Sequence, residues 1–395
     1  MNKLFIFLCF FSVSIMPLEK KIEYLYPIGA IDEENILLMH QTSLDDLELW
    51  MWNIKELVAF KELSSVFLPS CVQILPNKQG CSFVDHGRIK IKYFNKRTPR
   101  TIALSEPIFA VSSITWINEE QFYFTGKHDG YFKLFLCDIS NRNSTVSCLS
   151  CLQDSMDYLY PQKIDNDLFC MVKNANNYYA ICTLKWHPQE YQKEIQNYVK
   201  ISKKSEGNID YNFEKYENIS ILTNIDESAC FLTMHDQNSG FFLKFIQSEN
   251  QNFDFFKFIC CKITKQHKDS WVITDLFDFE LPKNLLVGFG PERIYESIYP
   301  FLPVYTEKSI YFVNFNKLSE TCQIARYDHD SEHIDVMDPY SSRSISNNSH
   351  LFAPCIINNS VYCGISSPLN VSNRSLMLSD QLSGVFQCKL PEIKL

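Results

Sequence analysis

Short apolar runs alternate with polar turns along the chain, and the pattern is sharpest in residues 111–138. There, the runs 112–117, 122–125 and 132–138 are rich in aromatic and β-branched residues, with polar turns between them. Such residues pack well on a pleated surface, whereas polar turn residues interrupt a strand ladder. The stretch therefore predicts three antiparallel strands arranged as a meander.

The strand–turn–strand core of this meander recurs seven times, each time as an apolar residue, an acidic or amide turn and a new apolar strand. The copies lie at 31–38, 76–80, 117–122, 164–169, 225–231, 306–308 and 358–360. The third strands are expected at 49–54, 89–94, 133–139, 179–184, 241–246, 322–327 and 385–390. A repeated unit of about 40–50 residues with four antiparallel strands is typical of a propeller blade.

The seven copies predict an all-β fold, a seven-bladed β-propeller of four-stranded antiparallel blades, within a range of six to eight blades. A single blade leaves both of its faces apolar, so neighbouring blades must stack and the ring must close. Residues 17–22 are expected to complete the last blade and so to bring the two ends of the chain together.

The first residues have the features of a targeting signal. Lys3 precedes an apolar run at 4–11, and small residues follow at 12–14. We therefore predict a signal peptide at 1–16, a single propeller domain at 17–395, and a secreted or periplasmic protein. The apolar run is too short to span a bilayer comfortably, and no later segment predicts a membrane span.

Charge and motifs exclude several classes of function. The net charge is -9 and Lys and Arg form no long block, which argues against a nucleic-acid binder. Neither a G-x-S-x-G elbow nor an H-E-x-x-H motif occurs, so the sequence identifies no catalytic residues, metal or cofactor. Carboxylates from different blades could still converge at the mouth of the channel.

Two stretches, 264–296 and 364–384, interrupt the regular spacing and are expected as inserted loops on one face of the ring. Enlarged loops on a rigid scaffold commonly carry binding. Trp271, Phe277 and Phe279 are the aromatic candidates for binding a partner there, because large rigid rings often carry much of an interface's energy. The alternative is that these rings pack onto the blade and seal the insert.

His40, His86, His128 and His235 each begin the turn expected after the second strand of a repeat, which places them on the same face as the inserts. They could form a pH-responsive or metal-assisted contact surface. The alternative is that this turn needs a residue that tolerates a left-handed conformation. The densest cluster of potential metal ligands is the run 328–333, which could also be an ordinary solvated hairpin turn.

Fourteen cysteines follow Cys9, an even number for a compartment that permits disulfides. Three pairs could face each other on adjacent strands: Cys71 with Cys81, Cys170 with Cys182, and Cys355 with Cys363. The alternative is that these residues are buried free thiols, which behave as small hydrophobic groups.

The copy from Ile114 to Asp138 resembles the WD-like repeat of TolB-type propellers. Trp116 begins its first turn, where that family has Trp-Ser-Pro-Asp-Gly, and Asp129-Gly130 matches the Asp-Gly before the third strand. The resemblance implies a propeller fold and export. TolB carries a separate domain before its propeller, whereas the repeats here begin directly after the predicted signal.

The leading hypothesis is an exported, non-enzymatic and monomeric propeller that binds a protein or a small ligand on the insert-bearing face. A propeller hydrolase or lyase acting on glycans or peptides, with carboxylates at the channel mouth, is the first alternative. A TolB-like component of the cell envelope is the second.

Overall fold

The computed structural model describes residues 24–41, 47–53, 58–64, 72–85, 88–102, 111–140, 144–150, 155–184, 219–225, 228–246, 255–266, 270–282, 301–340, 350–357, 360–366 and 385–389. In these residues 28 strands form seven four-stranded antiparallel sheets. Sheets 1 to 3 contain β1 (Tyr24–Ala30), β2 (Asn35–Gln41), β3 (Leu47–Asn53) and β4 (Val58–Ser64); β5 (Gln73–Ile74), β6 (Gly80–Asp85), β7 (Arg88–Tyr93) and β8 (Arg100–Thr101); and β9 (Val111–Trp116), β10 (Gln121–His128), β11 (Tyr131–Asp138) and β12 (Thr145–Cys148).

Sheets 4 to 6 repeat the same meander order. They contain β13 (Met156–Ile164), β14 (Asp167–Asn174), β15 (Tyr179–Leu184) and β16 (Ile219–Ile225); β17 (Ser228–Met234), β18 (Ser239–Ile246), β19 (Phe255–Lys265) and β20 (Trp271–Pro282); and β21 (Val304–Tyr305), β22 (Ser309–Asn316), β23 (Thr321–Asp328) and β24 (Ile334–Val336). Sheet 7 contains β25 (Asp338–Tyr340), β26 (His350–Ile357), β27 (Ser360–Ser366) and β28 (Val385–Lys389).

The all-β propeller of four-stranded antiparallel blades is confirmed. Because successive strands run in opposite directions, the turns between first and second strands and between third and fourth strands lie on one face, called here the lower face. The turns between second and third strands and the links to the next sheet lie on the opposite, upper face.

Sheet 7 departs from the meander order. Its outer strand is β25, which precedes β26 in the chain and pairs with β28, Asp338 opposite Lys389. The meander of sheet 7 therefore begins at β26, which is counted as its first strand, and β28 is its third. One extended segment therefore continues from β24 at the edge of sheet 6 into β25 at the edge of sheet 7. Residues 17–22, expected to complete the last sheet, lie outside the described residues; among the described strands, β25 occupies the outer position of sheet 7.

Consecutive sheets pack against one another, and the first also packs against the last. The first strand of a sheet contacts its neighbour in most of these pairs, for example β13 against β11 and β26 against β23. At the two ends of the chain, β1 packs against β26 and β27. The largest hydrophobic cluster draws residues from sheets 1, 2, 5, 6 and 7.

The first strands of five sheets carry a β-bulge. Three bulge residues have a left-handed backbone: Tyr160 with φ 53°, Phe231 with φ 58° and Ala353 with φ 49°. The rings of Tyr160 and Phe231 lie 5.3 Å apart across sheets 4 and 5, and both pack against the largest hydrophobic cluster. A bulge adds a residue that the partner strand does not pair, so it turns a side chain out of the ladder and toward the neighbouring sheet.

The acidic or amide residue of the repeated turn has a structural cause. In four sheets an Asp or Asn side chain in the lower-face turn accepts a hydrogen bond from the backbone N–H two residues later. These side chains are Asp32, Asn77, Asn118 and Asp236. Asp and Asn favour turns because their short side chains can make this bond. A hydrogen bond within the turn therefore explains why an acidic or amide residue recurs there.

The fifth repeat is shifted by one strand from its predicted register. The run ending at Ile225 is β16, the fourth strand of sheet 4, and the predicted third strand 241–246 is the second strand, β18. The error arises because residues 185–218 separate β15 from β16, so β16 resembles the start of a new repeat. The other six predicted third strands are third strands in the structure.

Candidate binding site on the upper face

The predicted aromatic residues lie in a strand and not in an inserted loop. Residues 271–282 form β20, the outer strand of sheet 5, which corrects the expected insert over this stretch. Phe277 and Phe279 are 8% and 3% exposed, and the ring of Phe277 stacks on Phe312 of sheet 6 at 4.4 Å. Both side chains therefore pack between sheets 5 and 6.

Trp271 is half-buried at the start of β20, at the lower face, with its ring edge-on to Phe169 at 6.3 Å. It therefore packs between sheets 4 and 5. The second predicted insert, 364–384, begins within β27, and its residues 367–384 lie outside the described residues.

The four histidines do not share one face. His40 and His128 end β2 and β10 at the upper face, whereas His235 follows β17, a first strand, and so lies at the lower face. His86 lies outside the described residues. At the turn after His128, the left-handed residues are Asp129 and Gly130, so His128 itself does not fill that conformational role.

The run 328–333 forms a closed hairpin turn. Asp328 Oδ1 accepts hydrogen bonds from the backbone N–H groups of Asp330 and Ser331, at 3.2 and 3.1 Å. His333 faces Asp335, with 3.5 Å between Nε2 and Oδ1. Within the described residues of the chain, no group of three or more His, Cys, Asp or Glu could hold a metal ion.

A cluster of opposite charges lies at the upper face, where sheets 3 and 4 meet. Asp157 is the second residue of β13, and its Oδ1 accepts a hydrogen bond at 2.7 Å from the backbone N–H of Phe132, near the start of β11. Both strands begin at the upper face, so this bond joins the two sheets at their upper rim.

Three lysines act on this carboxylate through their charge: Lys173, Lys133 and Lys127. Lys133 is fully buried; its Nζ donates to the carbonyl of Met156 at 3.0 Å and lies over the Tyr158 ring at 5.6 Å. A buried ammonium is stabilised by such a carbonyl and by an aromatic face.

Lys127 and Lys173 are half-buried at the upper ends of β10 and β14. The Lys173 ammonium lies over the ring of Tyr179 at 5.8 Å. His128 adjoins the cluster, since it is the cross-strand partner of Tyr131, whose ring lies 5.4 Å from Lys133 Nζ.

Burial raises the pKa of the Asp157 carboxyl, and the hydrogen bond from Phe132 and the charges of the three lysines only partly oppose this effect. A half-buried carboxyl with a raised pKa beside several ammonium groups marks a candidate functional site. Within the described residues, the three lysines outnumber the carboxylates of Asp157 and of the nearby Asp129, so the cluster is positive in a chain whose net charge is -9.

Sequence reasoning missed this cluster because its members lie in three separate segments. Two signals were available: Lys133 interrupts an otherwise apolar strand, and Asp157 directly precedes Tyr158-Leu159-Tyr160-Pro161, which repeats the start of β1. A charged residue inside a buried strand requires a partner. Lys133 therefore predicts a polar contact, but the sequence does not identify the partner residue.

No family model matches this chain, and no curated protein matches it. Among solved structures, an oligogalacturonate lyase in complex with manganese aligns with a TM-score of 0.53 at 7% identity, over 92% of this chain and 88% of that chain. A puromycin-hydrolyzing peptidase from Mycobacterium tuberculosis aligns with a TM-score of 0.54 at 8% identity, over 88% of this chain and 52% of that chain.

A putative TolB from Agrobacterium tumefaciens aligns with a TM-score of 0.42 at 11% identity, over 66% of this chain and 90% of that chain. At such identities the likeness concerns the fold alone, and the lyase and the peptidase, both with TM-scores above 0.5, support a propeller. In the described residues, no helix is long and apolar enough to cross a membrane.

Proposed function

We propose that the protein is an exported binding platform whose upper face takes an acidic segment of a partner protein. The observation that carries this proposal is the positive cluster of Lys127, Lys133 and Lys173 around the carboxylate of Asp157. The ammonium of Lys133 is hydrogen-bonded to the Met156 carbonyl, whereas Lys127 and Lys173 are partly exposed at the rim. Their ammonium groups can bind a carboxylate of the partner.

The platform is a ring of seven blades closed by contact between sheets 1 and 7. Seven four-stranded sheets, the packing of consecutive sheets and the contact of β1 with β26 and β27 support this closure. A closed ring holds the upper rim rigidly, and rigid scaffolds present binding groups at little entropic cost.

Charge substitutions test the binding site with opposite expected signs. The probe is a fluorescein-labelled peptide of six glutamates. Its binding is measured by fluorescence anisotropy at low and at high salt. Replacing Lys127 and Lys173 together by Ala should weaken binding about tenfold or more, whereas Asp157→Asn should strengthen it by removing a repulsive charge. The affinity should fall as salt rises, since exposed charges are screened.

Lys163 provides the matched control, because it is an exposed lysine on β13, near the opposite end of the strand from Asp157. Lys163→Ala should leave the affinity unchanged. Equal losses for Lys163→Ala and for the double variant, or no binding of the peptide at low salt, would contradict the proposal.

A second candidate function is general acid catalysis on a carboxylate-bearing glycan. The raised pKa of Asp157 favours it, since a carboxyl that keeps its proton can donate it to a leaving group. Oligogalacturonate is a suitable first substrate, because the lysines can bind its carboxylates. Cleavage of oligogalacturonate that Asp157→Asn abolishes would support catalysis; binding without cleavage would support the platform.

A further inference from the structure

Cys170 and Cys182 face each other across β14 and β15. They are direct cross-strand partners, both are fully buried, and their Sγ atoms lie 3.3 Å apart. Facing residues in an antiparallel pair have Cα atoms about 4.5–5.5 Å apart. That spacing falls within the range of about 4.4–6.8 Å that a disulfide requires, so bond formation needs side-chain rotation and no movement of the strands.

The predicted pair Cys355 and Cys363 is not aligned in this way. Cys355 lies opposite Tyr362, so Cys363 projects to the other side of the sheet. Cys81 lies between Ile74 and Lys92, and its expected partner Cys71 is outside the described residues. Among the described residues, the geometry therefore aligns one predicted pair, Cys170 with Cys182, across adjacent strands.

The surroundings determine when these thiols can react. They lie in an apolar cluster between sheets 3 and 4 that also contains Leu134, Met156 and Tyr158. The hydrogen bond with Cys170, together with burial, raises the pKa of Cys182. Since the thiolate is the species that attacks a disulfide, the folded protein holds this pair unreactive, and exchange must precede the packing of sheet 4.

We propose that Cys170 and Cys182 are oxidised to a cross-strand disulfide while the chain folds. The oxidant is a small-molecule or protein disulfide such as glutathione disulfide. One cysteine thiolate attacks the glutathione disulfide and releases a glutathione thiolate; the second then attacks the mixed disulfide and releases another. In total the pair gives up two electrons and two protons, and one glutathione disulfide becomes two glutathione thiols.

The bridge fixes the β14–β15 hairpin, whose upper end carries Lys173 and Tyr179. After folding, the apolar cluster also excludes reductants from the bond. Disulfides persist in oxidising compartments, which agrees with the export predicted from residues 1–16. Refolding in vitro tests the bridge without regard to the compartment.

Mass spectrometry of the trapped protein tests the proposal. Full-length protein is refolded in a buffer with excess glutathione disulfide, and its free thiols are alkylated in denaturant. Trypsin then releases peptides 164–173 and 174–185, which hold Cys170 and Cys182. We expect one disulfide-linked species of the two peptides; two separately alkylated peptides would overturn the proposal. If refolding fails, the same digest is made from protein whose thiols are alkylated at cell lysis. The same two outcomes then decide the proposal.

The melting temperature in the presence of a reductant provides a second test. Reductant should lower the melting temperature of the wild type only after an unfolding–refolding cycle, because the folded protein shields the bond. Cys170→Ala should lose this dependence on reductant. Cys137, equally buried but opposite Phe122 and Val146, supplies the matched control. Cys137→Ala should lower stability, but its melting temperature should still depend on reductant. The proposal would also be overturned if Cys137→Ala lost this dependence, or if Cys170→Ala kept it.

Discussion

The side-chain amide of Gln162 is joined to Met234 of the neighbouring sheet. Its Oε1 accepts a hydrogen bond from the Met234 backbone N–H at 2.6 Å, and its Nε2 donates to the carbonyl of Leu232 at 2.8 Å. Both sides of this contact follow from bulges, at Tyr160 in β13 and at Phe231 in β17. The bulges place one amide opposite two backbone groups of the neighbouring sheet.

Gln162→Ala is expected to destabilise the protein by about 2–4 kcal/mol, because an unsatisfied buried backbone group costs about 1–3 kcal/mol. The measurement is the free energy of unfolding from chemical denaturation. Gln237→Ala is the matched control: Gln237 also joins sheets 4 and 5, through an exposed 2.9 Å bond to Asp165. It should change stability by no more than about 0.5 kcal/mol, and equal losses would contradict the role of burial.

Asp157→Asn should change how stability depends on pH. Burial raises the pKa of this carboxyl in the folded state. Its contribution to stability is therefore complete below the unfolded-state pKa, about 3.9, and is lost as pH rises through the raised folded value. Asn keeps an oxygen that can accept the Phe132 N–H, so the variant should gain stability over the wild type as pH rises from about 4.

Melting temperatures measured across this pH range check the prediction. The exposed side chain of Asp129, at the neighbouring turn, provides a control, and Asp129→Asn should follow the wild-type profile. Parallel profiles for Asp157→Asn and the wild type would mean that burial does not set the ionisation of Asp157.

Phe277→Ala should cost about 3–5 kcal/mol of stability, the range for removing a buried aromatic ring. The ring stacks on Phe312 and contacts Tyr327 at 5.0 Å, so its loss leaves a cavity between sheets 5 and 6. Val272, on the same strand and 37% exposed, is the control, and Val272→Ala should cost less than about 1 kcal/mol. Calorimetry distinguishes the two; a stable Phe277→Ala variant would contradict the burial.

Deleting residues 349–395 should abolish cooperative unfolding. The deletion removes β26, β27 and β28, so β25 loses its partner and β1 loses the sheet on which it packs. Removal of residues 391–395 alone, beyond β28, should leave the transition intact. Calorimetric unfolding measures both, and a cooperative transition of the larger deletion near the full-length temperature would show that the ring need not close.

His329 should make the protein less stable in mild acid. Burial and the charge of Lys262 lower its pKa, against a hydrogen bond to the Thr306 backbone and the charges of Asp328 and Asp330. A lowered folded-state pKa means that stability is complete above about pH 6.5 and is lost as pH falls through the folded value.

His329→Gln should remove this loss of stability as pH falls below about 6.5, as measured by denaturant unfolding. The exposed His333 in the same hairpin is the control, and His333→Gln should retain the wild-type dependence. If both variants lose it, the effect does not arise from the buried ring.

The repeated turns could be predicted from sequence because their cause is local. An Asp or Asn that accepts a bond from the N–H two residues later needs no distant contact, and the strands beside it show their apolar alternation. The register of the fifth repeat could not be predicted in the same way. Whether β16 ends one sheet or begins the next depends on pairing with β15, across residues 185–218.

The candidate site lay beyond local reasoning for a similar reason. Asp157, Lys127 and Lys173 come from three strands of two sheets, and no spacing in the sequence relates them. The aromatic residues of β20 were misassigned because an outer strand at an irregular repeat resembles an insert. Their alternation with polar residues, Phe277-Asp278-Phe279-Glu280, is the strand signal that was available.

The contact between sheets 1 and 7 has a mechanical consequence. In the described strands, every sheet is built from its own stretch of chain, so the first and last sheets share packing but no strand. A pull on residues 24 and 389 loads this seam directly and can separate the intact sheets without stripping a hydrogen-bonded strand from either. We therefore expect this contact to open first under such a load and to reform without any sheet refolding.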